Sequence, residues 1–422
     1  MSKELCSSFA LQMEQIGPFE LHPELCVAVS GGADSMALLL LAEEWAKRRG
    51  GIVYAVTINH RLRKESTQEA KQVDVWCAAR NIPHCTLEWN HSGITTGISA
   101  AARIARYELL SGWCKARGIM HLLVAHHAED QAETVQLRAL RGSQSRGLSG
   151  MSCVSYYYGL RILRPLLQLS KHALKTYLQT QGQEWIEDPS NAQPVTMRNR
   201  IRNTLNTDAH MRLLETAQQS QKARVKEEAA WVTRMVKEIV LLPEGFAQWT
   251  LPREATEKSE NIHMLSAVLA TIGSHAEYPR WREVERLWHA LESKEKTVTL
   301  AGCIVRRKKD IVLITRENAA IGGAVVLTSH IVWDGRFTLT CGNAPSDTRV
   351  EKLGKNDFLG LEPLIPKRFL SHTPRSVFLT LPAVKDLEGV VKVPHINYER
   401  PYSVGFSVEC RFTPRLPLTP AP

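Results

Sequence analysis

The sequence predicts an α/β protein: a doubly wound parallel sheet, then a helical middle region, then a small β-rich C-terminal region. Three observations predict the sheet. The first third of the chain alternates short apolar runs with longer helical stretches. The short runs are apolar throughout instead of alternating, as in strands covered on both faces. The links between them are short, which favours parallel strands joined by right-handed helical crossovers.

The elements follow in order. "LCVAVS" is the first strand and "SMALLLLAEEWAKRR" the first helix. That helix closes on Lys47, Arg48 and Arg49 ahead of Gly50 and Gly51, where cations and left-handed residues belong. "GIVYAVTIN" is the second strand. Ser66-Thr67-Gln68-Glu69 has the spacing of a capping box and opens a helix to about Arg80. "PHCTLEW" is the third strand, "SAAARIARYELLSGWCKARG" a helix, "MHLLVAHH" the fourth strand and "EDQAETVQLRALRG" a helix. Near residue 200 the pattern changes, and "MRNRIRNTL" leads into the long charged helix "ETAQQSQKARVKEEAAWVTRMVKEIV". The helical stretches "SENIHMLSAVLATIG" and "RWREVERLWHALES" follow, then strand-like "KTVTLAGCIVRRKKDIVLITREN". From about 320 onward, β-branched residues and proline predict irregular β structure. The expected domains are residues 1–206, 207–318 and 319–422, the last with no assigned role.

A chain of 422 residues is long enough for two or three domains. Hydrophobic content of 44% and charged content of 23% place it among soluble globular proteins. The formal charge of +10 points to a polyanionic partner, nucleic acid first. The nine cysteines are odd in number and none is spaced C-x-x-C, which argues against a disulfide framework and a zinc ribbon. They read as buried thiols of a reducing cytosol. The N-terminal "MSKELCSSFALQMEQIG" carries acidic residues and no long apolar core, so it is not a secretory signal. "MALLLLAEEW" breaks at Glu43, far short of the roughly 20 apolar residues of a membrane span. The expectation is a cytoplasmic protein with no membrane partner.

Ligands of such sheets sit beyond the carboxyl ends of the strands. Three polar clusters fall there: "SGGADS" after strand one, "NHRLR" after strand two and "HHAEDQ" after strand four. In the first, Gly31 and Gly32 let the backbone approach a ligand, and the following helix offers free N–H groups and a positive dipole. Ser30 and Ser35 add hydroxyls, making an anion cradle suited to phosphate. It is neither G-x-x-x-x-G-K-[ST] nor G-x-G-x-x-G. The competing reading is a glycine turn with Asp34 as helix cap. In the third cluster Asp130, Glu133 and Thr134 share one helix face. Two carboxylates there suit an amine, whose ordinary pKa of about 10.4 makes it a poor nucleophile until it is deprotonated. The alternative is a solvated acidic helix start, with Glu129 and Asp130 complementing the dipole. His126 and His127 read equally well as strand-end or capping residues, and zinc would need more ligands. In "RNRIR", Arg198, Arg200 and Arg202 concentrate charge suited to phosphate, or sit as solvated surface.

The string S-G-G-x-D-S resembles the PP-loop of the N-type ATP pyrophosphatases. "AHHAEDQAETVQLRALRGSQSRGLSGM" resembles the tRNA(Ile)-lysidine synthetase signature H-H-x-x-D-Q-x-E-T followed by L-R-G-x-x-x-G-L-x-G-M. "INHRLRKES" is similar to that family's D-H-G-L-R-x-x-S, with His60, Arg63 and Ser66 in place but Asn59 for aspartate and Arg61 for glycine. "ISAAARIARYELL" is similar to its A-R-x-x-R-Y segment through Arg103, Arg106 and Tyr107. The resemblance is dense over residues 24–206 and weaker to about 318.

The resemblance implies the PP-loop fold, adenine-nucleotide alpha-hydrolase-like, and an ATP-dependent ligase that forms a carbon–nitrogen bond. It implies ATP on Ser30, Gly31, Gly32, Ala33, Asp34 and Ser35, with Asp34 touching Mg2+. It implies L-lysine held by Asp130 and Glu133, with Arg106 positioning the reactants, so that Asp34, Arg106, Asp130 and Glu133 form the catalytic set. The substrate would be the wobble cytidine of the isoleucine tRNA with a CAU anticodon. Its O2 would be adenylated with loss of pyrophosphate, and lysine would then displace AMP at C2. Arg141, Arg198, Arg200 and Arg202 would contact tRNA, and a homodimer is implied. Two alternatives stand beside this: a PP-loop thiouridine or thiocytidine synthetase, which would call for cysteines spaced for catalysis or a cluster, and a tRNA-binding relative without activity.

Overall fold

The computed structural model describes residues 2–61, 65–90, 97–140, 145–157, 160–187, 201, 205–252, 256–275, 277–292, 297–345, 347–401 and 405–418. The chain forms two compact units, one running to Glu227 and the other from Glu228.

The first unit contains, in order, α1 (Ser2–Gln15), β1 (Glu24–Ala28), α2 (Ala33–Lys47), β2 (Ile52–Asn59), α3 (Ser66–Ala78), β3 (His84–Glu88), α4 (Ile98–Lys115), β4 (His121–Leu123), α5 (Ala128–Leu140), α6 (Ser145–Leu148), β5 (Val154–Tyr157), β6 (Leu160–Leu163) and α7 (Lys171–Thr180). A long helix, α8 (Thr207–Glu238), carries the chain across the division. The sheet order is β3-β2-β1-β4-β6-β5. β3, β2, β1, β4 and β6 run parallel, and only β5 is antiparallel, on β6.

The predicted doubly wound sheet is therefore present, with each of its four expected strands. In β1, Leu25 and Val27 pack into one core and Cys26 into the other, which is why the strand runs apolar without alternation from Leu25 to Ala28. α2 is buried on nearly every side from Met36 to Ala42, so its run of leucines belongs to a central helix. It ends where Gly50 takes φ +64 and the Gly51 N–H bonds back to Ala46 O at 2.9 Å. Two details depart from the sequence reading. Ser66 lies inside α3, with Glu65 at the cap and no side-chain capping bond there, so no capping box forms. The β5–β6 hairpin was not expected, because its strands have four residues each and Ser155 and Arg161 interrupt their apolar runs.

In the second unit β7 (Ile239–Leu242) and β8 (Phe246–Thr250) are followed by α9 (Lys258–Gly273) and α10 (Trp281–Glu292). Then come β9 (Thr297–Leu300), β10 (Cys303–Lys308) and β11 (Ile311–Arg316). These strands make an antiparallel sheet of order β7-β8-β11-β10-β9. The expected helical region is thus a pair of helices sharing a core with a sheet. β7 and β8 escaped notice because "EIVLL" continues the apolar pattern of α8 without a break. Further on, β12 (Val325–Val326), β13 (His330–Trp333), β14 (Phe337–Cys341) and β15 (Arg349–Lys352) lead to α11 (Gly354–Leu361), α12 (Lys367–His372) and α13 (Arg375–Phe378). β16 (Pro382–Asp386), β17 (Gly389–Val393), β18 (Tyr398–Glu399) and β19 (Val408–Phe412) complete two antiparallel sheets. The expected β-rich tail is present, with short helices inserted in it.

One buried carboxylate ties this unit together. Asp334, in the β13–β14 turn, accepts from Arg316 Nε and Nη2 at 3.0 and 2.9 Å and from Arg336 Nε at 2.6 Å. Arg336 is wholly buried and also bonds Gly245 O at 3.1 Å, while Arg316 bonds Gly273 O at 2.9 Å. Burial pushes the Arg336 guanidinium below its ordinary value, and Asp334 opposes that. Removing the shared carboxylate leaves two buried guanidiniums facing each other. Asp334→Ala is expected to lower stability by about 3–5 kcal/mol in denaturant titration, an effect confined to the second unit's transition.

Candidate active site

The end of β1 carries the first cluster. The Ser35 hydroxyl donates to Gly32 O at 3.0 Å and accepts from Ser30 N at 3.1 Å, and the two serine hydroxyls lie 3.2 Å apart. Ser35 is thereby spent on shaping the loop. Gly31 has φ +82, and a Cβ there would lie 2.7 Å from Ile186 Cδ1 and 3.1 Å from Val73 Cγ2. Its freedom makes room for protein, since Ile186 N also bonds Gly31 O at 2.9 Å. Gly32 caps α2 in extended backbone, and a Cβ there would meet nothing closer than 3.6 Å. Of the two glycines, Gly32 is the one with open space beside it.

Three helix N-termini, those of α2, α5 and α7, meet at this loop, and His127 joins them. Its Nδ1 lies 2.9 Å from Glu129 Oε2, and its Nε2 lies 3.4 Å from both Asp34 Oδ2 and Asp130 Oδ2. Asp130 also accepts the His127 backbone N–H at 3.2 Å. Glu129 accepts the Lys171 backbone N–H at 3.0 and 3.1 Å, which binds the start of α7 to the start of α5. Burial works to push the His127 imidazolium down, but the carboxylates of Asp34, Glu129 and Asp130 prevail and hold it up at about 10. Burial likewise favours a raised Glu129, and the His127 ring and Lys171 N–H outweigh it, leaving Glu129 below the usual range. Lys171 Nζ stands 3.9 Å from Asp34 Oδ2. Glu129 is therefore a structural keystone and not a solvated helix start.

A cavity of about 520 Å³ opens beside the cluster, within the range of small-molecule sites. The loop residues Ser30, Gly32, Ala33, Asp34 and Ser35 line it. From α4, Arg103, Arg106 and Tyr107 form another wall. Arg106 Nη2 is 3.3 Å from His60 Nε2, and burial lowers its guanidinium from the ordinary value. Arg103 stacks on Tyr107 with its guanidinium carbon 5.3 Å from the ring centre. Lys171 and Lys175, one turn apart on α7, close a further side. Sequence reading had passed over these two lysines. The signal was Ser170, which caps α7 by accepting from Ala173 N at 3.2 Å, but without β6 the helix had no place at the sheet edge.

Asp130 and Glu133 lie apart from the cavity wall among the described residues, and Glu133 is 1% exposed. Gln131 and Arg138 of the same helix hold the segment 147–151: Gln131 bonds Met151 N and O, and Arg138 bonds Gly147 O and Gly150 O. The "SGM" string is thus a docking feature of α5. Asn59 is buried and builds a turn, with Oδ1 accepting from Arg61 N at 3.0 Å and Nδ2 donating to Thr67 Oγ1 at 3.1 Å. Arg61 takes φ +52 there, a conformation glycine adopts at no steric cost. Arg141, Arg198, Arg200 and Arg202 fall outside the described residues, as does Arg63. For a cation, the fitting observation is Asp34 Oδ1, a buried oxygen with no hydrogen-bond partner in the structure. No group of three or more side chains suited to caging a metal occurs among the described residues. No helix among the described residues is long and apolar enough to cross a membrane.

The PP-loop domain family matches residues 5–209. The tRNA(Ile)-lysidine synthase of Orientia tsutsugamushi (strain Boryong) is 32% identical over 432 residues, covering 97% of this chain and 97% of that one. That of Wolbachia pipientis wMel is 32% identical over 405 residues, covering 92% of each. Among solved structures, the U34-tRNA thiolase NcsA from Methanococcus maripaludis aligns over 52% of this chain and 79% of that one, with 13% identity and a TM-score of 0.44.

Two outcomes are expected. Gly31→Ala should cost roughly 2 kcal/mol of stability through backbone strain and the clash with Ile186, whereas Gly32→Ala should leave thermal stability near wild type. In a chelator-containing buffer, the extra stability from His127 should be complete below about pH 6.5, the unfolded value for histidine, and should vanish as pH rises towards 10. Melting temperatures of wild type and His127→Gln should therefore converge at alkaline pH; a constant difference would contradict this.

Proposed function

Because the chain belongs to the tRNA(Ile)-lysidine synthase family, we propose that it joins free L-lysine to C2 of the wobble cytidine of the isoleucine tRNA with a CAU anticodon, using ATP. The observation that carries the proposal is one cavity lined by the PP-loop and two arginines, which Asp34 links through His127 to a carboxylate cluster beside it.

The backbone N–H groups at the start of α2 and the Ser30 hydroxyl suit the phosphates. Lys171 and Lys175 face the same space and would balance charge on the departing pyrophosphate. Asp34, with its unpartnered Oδ1, is the residue to hold Mg2+, which when bound supplies charge neutralisation to the triphosphate. His127 keeps Asp34 and Asp130 oriented. Arg106, braced by His60, would position cytosine O2 against the α-phosphorus, so that the O2–phosphorus bond forms as the α–β bridge breaks. Asp130 would then offer the first carboxylate to the lysine ammonium. Glu133, one turn deeper, would be the second, and the wall beside α5 must open for lysine to reach it. Attack of the free amine at C2 expels AMP. The positive balance of the chain suits a tRNA partner.

The test is incorporation of labelled lysine into the CAU-anticodon isoleucine transcript. Label is expected only with ATP present, and its absence from an active, folded preparation would refute the proposal. Asp34→Ala is expected to abolish pyrophosphate release while folding normally; turnover at the wild-type rate would remove Asp34 from the site.

A further inference from the structure

A second cluster lies on the opposite wall of the cavity, built from residues that no motif singles out. Thr57, near the end of β2, is buried and lines the cavity. Its Oγ1 is 2.9 Å from His84 Nε2, and His84 Nδ1 is 2.9 Å from Asp74 Oδ1. The three come from β2, β3 and α3. His84 pairs with Ala55 in the β2–β3 register, which places its side chain on the Thr57 face. Asp74 sits one turn beyond Ala70, itself part of the cavity wall. His84 is 3% exposed and Asp74 is 67% exposed, so the chain of contacts runs from solvent to the cavity.

The direction of these hydrogen bonds follows from elementary donor counting. A carboxylate only accepts, so Asp74 requires the proton on Nδ1 of the imidazole. In the neutral imidazole Nε2 then carries a lone pair, and the Thr57 hydroxyl donates to it. Thr57 Oγ1 has no proton left for the cavity and presents lone pairs alone. A triphosphate is made of acceptors and gains nothing from such a group. The partner must be an N–H or O–H. Ala28, Val56, Ile58 and Val124 also line the cavity and make part of its wall apolar, as suits the face of a purine.

We propose that Asp74 and His84 act as positioning residues that make Thr57 an obligate acceptor for the 6-amino group of adenine, so that the relay selects ATP over 6-oxo purine nucleotides. The proposal rests on the nucleotide reading of the cavity. With a 6-oxo purine, two sets of lone pairs would face each other across the contact. A buried polar group left without its partner is the strong form of discrimination.

Calorimetric binding of ATP, ITP and 2′-deoxy-ATP tests it, with wild type, Thr57→Val and Asp74→Ala. Wild type is expected to prefer ATP over ITP by roughly tenfold or more, and the isosteric Thr57→Val should bring the ratio near unity. Asp74→Ala, at an exposed position outside the cavity, should shrink the same ratio by releasing the tautomer. Nitrogen NMR of His84 should show Nδ1 protonated and Nε2 bare. An unchanged ATP-to-ITP ratio in Thr57→Val would overturn the relay while leaving the nucleotide site intact. So would a His84 protonated on both nitrogens, or discrimination against 2′-deoxy-ATP without any against ITP. Failure of the wild-type protein to bind ATP at all would remove both readings together.

Discussion

The organisation of the first unit turns on one buried cation. His127 stands between Asp34 of α2 and Glu129 and Asp130 of α5, and Glu129 in turn holds the start of α7. Three helices start at this point with their positive ends inward, and the acidic side chains offset those dipoles. Without the imidazolium, three carboxylates in a poorly solvated corner would repel one another. With it, each keeps a defined oxygen aimed at a defined neighbour. The cavity wall follows from this arrangement: it consists largely of what lies next to those helix starts and the ends of the strands that feed them.

Much of the scaffold was legible in the sequence because its signals are local. Strands buried on both faces write themselves as unbroken apolar runs, and α2 and α4 end on a base followed by glycine. The parts that were hidden lack such signals. β6 is a strand of only four residues, and β7 continues the apolar rhythm of α8. Ser66 through Glu69 had the letters of a capping box, but the helix starts at Ser66 itself, so spacing alone could not say where the turn falls.

The site was legible as a location more than as a set of roles. Position followed from topology, since polar clusters after parallel strands must share an edge. Roles depend on what the rest of the chain brings alongside. Gly31 looks like a phosphate residue until Ile186 is seen filling the space beside it. Glu129 looks like a surface charge until Lys171 is seen bonded to it. Asn59 looks like a defect in a motif, yet it holds a turn that keeps Arg61 in place. The Thr57–His84–Asp74 contacts have no sequence signature, because their partners are spread over β2, α3 and β3 at spacings that no motif records.

The bond between Ile186 and Gly31 has a consequence for how the protein is made. The glycine loop is among the first parts of the sheet to leave the ribosome, yet the residue that props it arrives only after α7 has been translated. Until then Gly31 lacks the Ile186 side chain and the backbone bond from Ile186 N that fix its left-handed backbone. The nascent chain can form its first βαβ layers early while the nucleotide loop stays unset. The loop is thus completed only when the segment after α7 docks, and a fragment ending before residue 186 would carry the motif without the bond that props it.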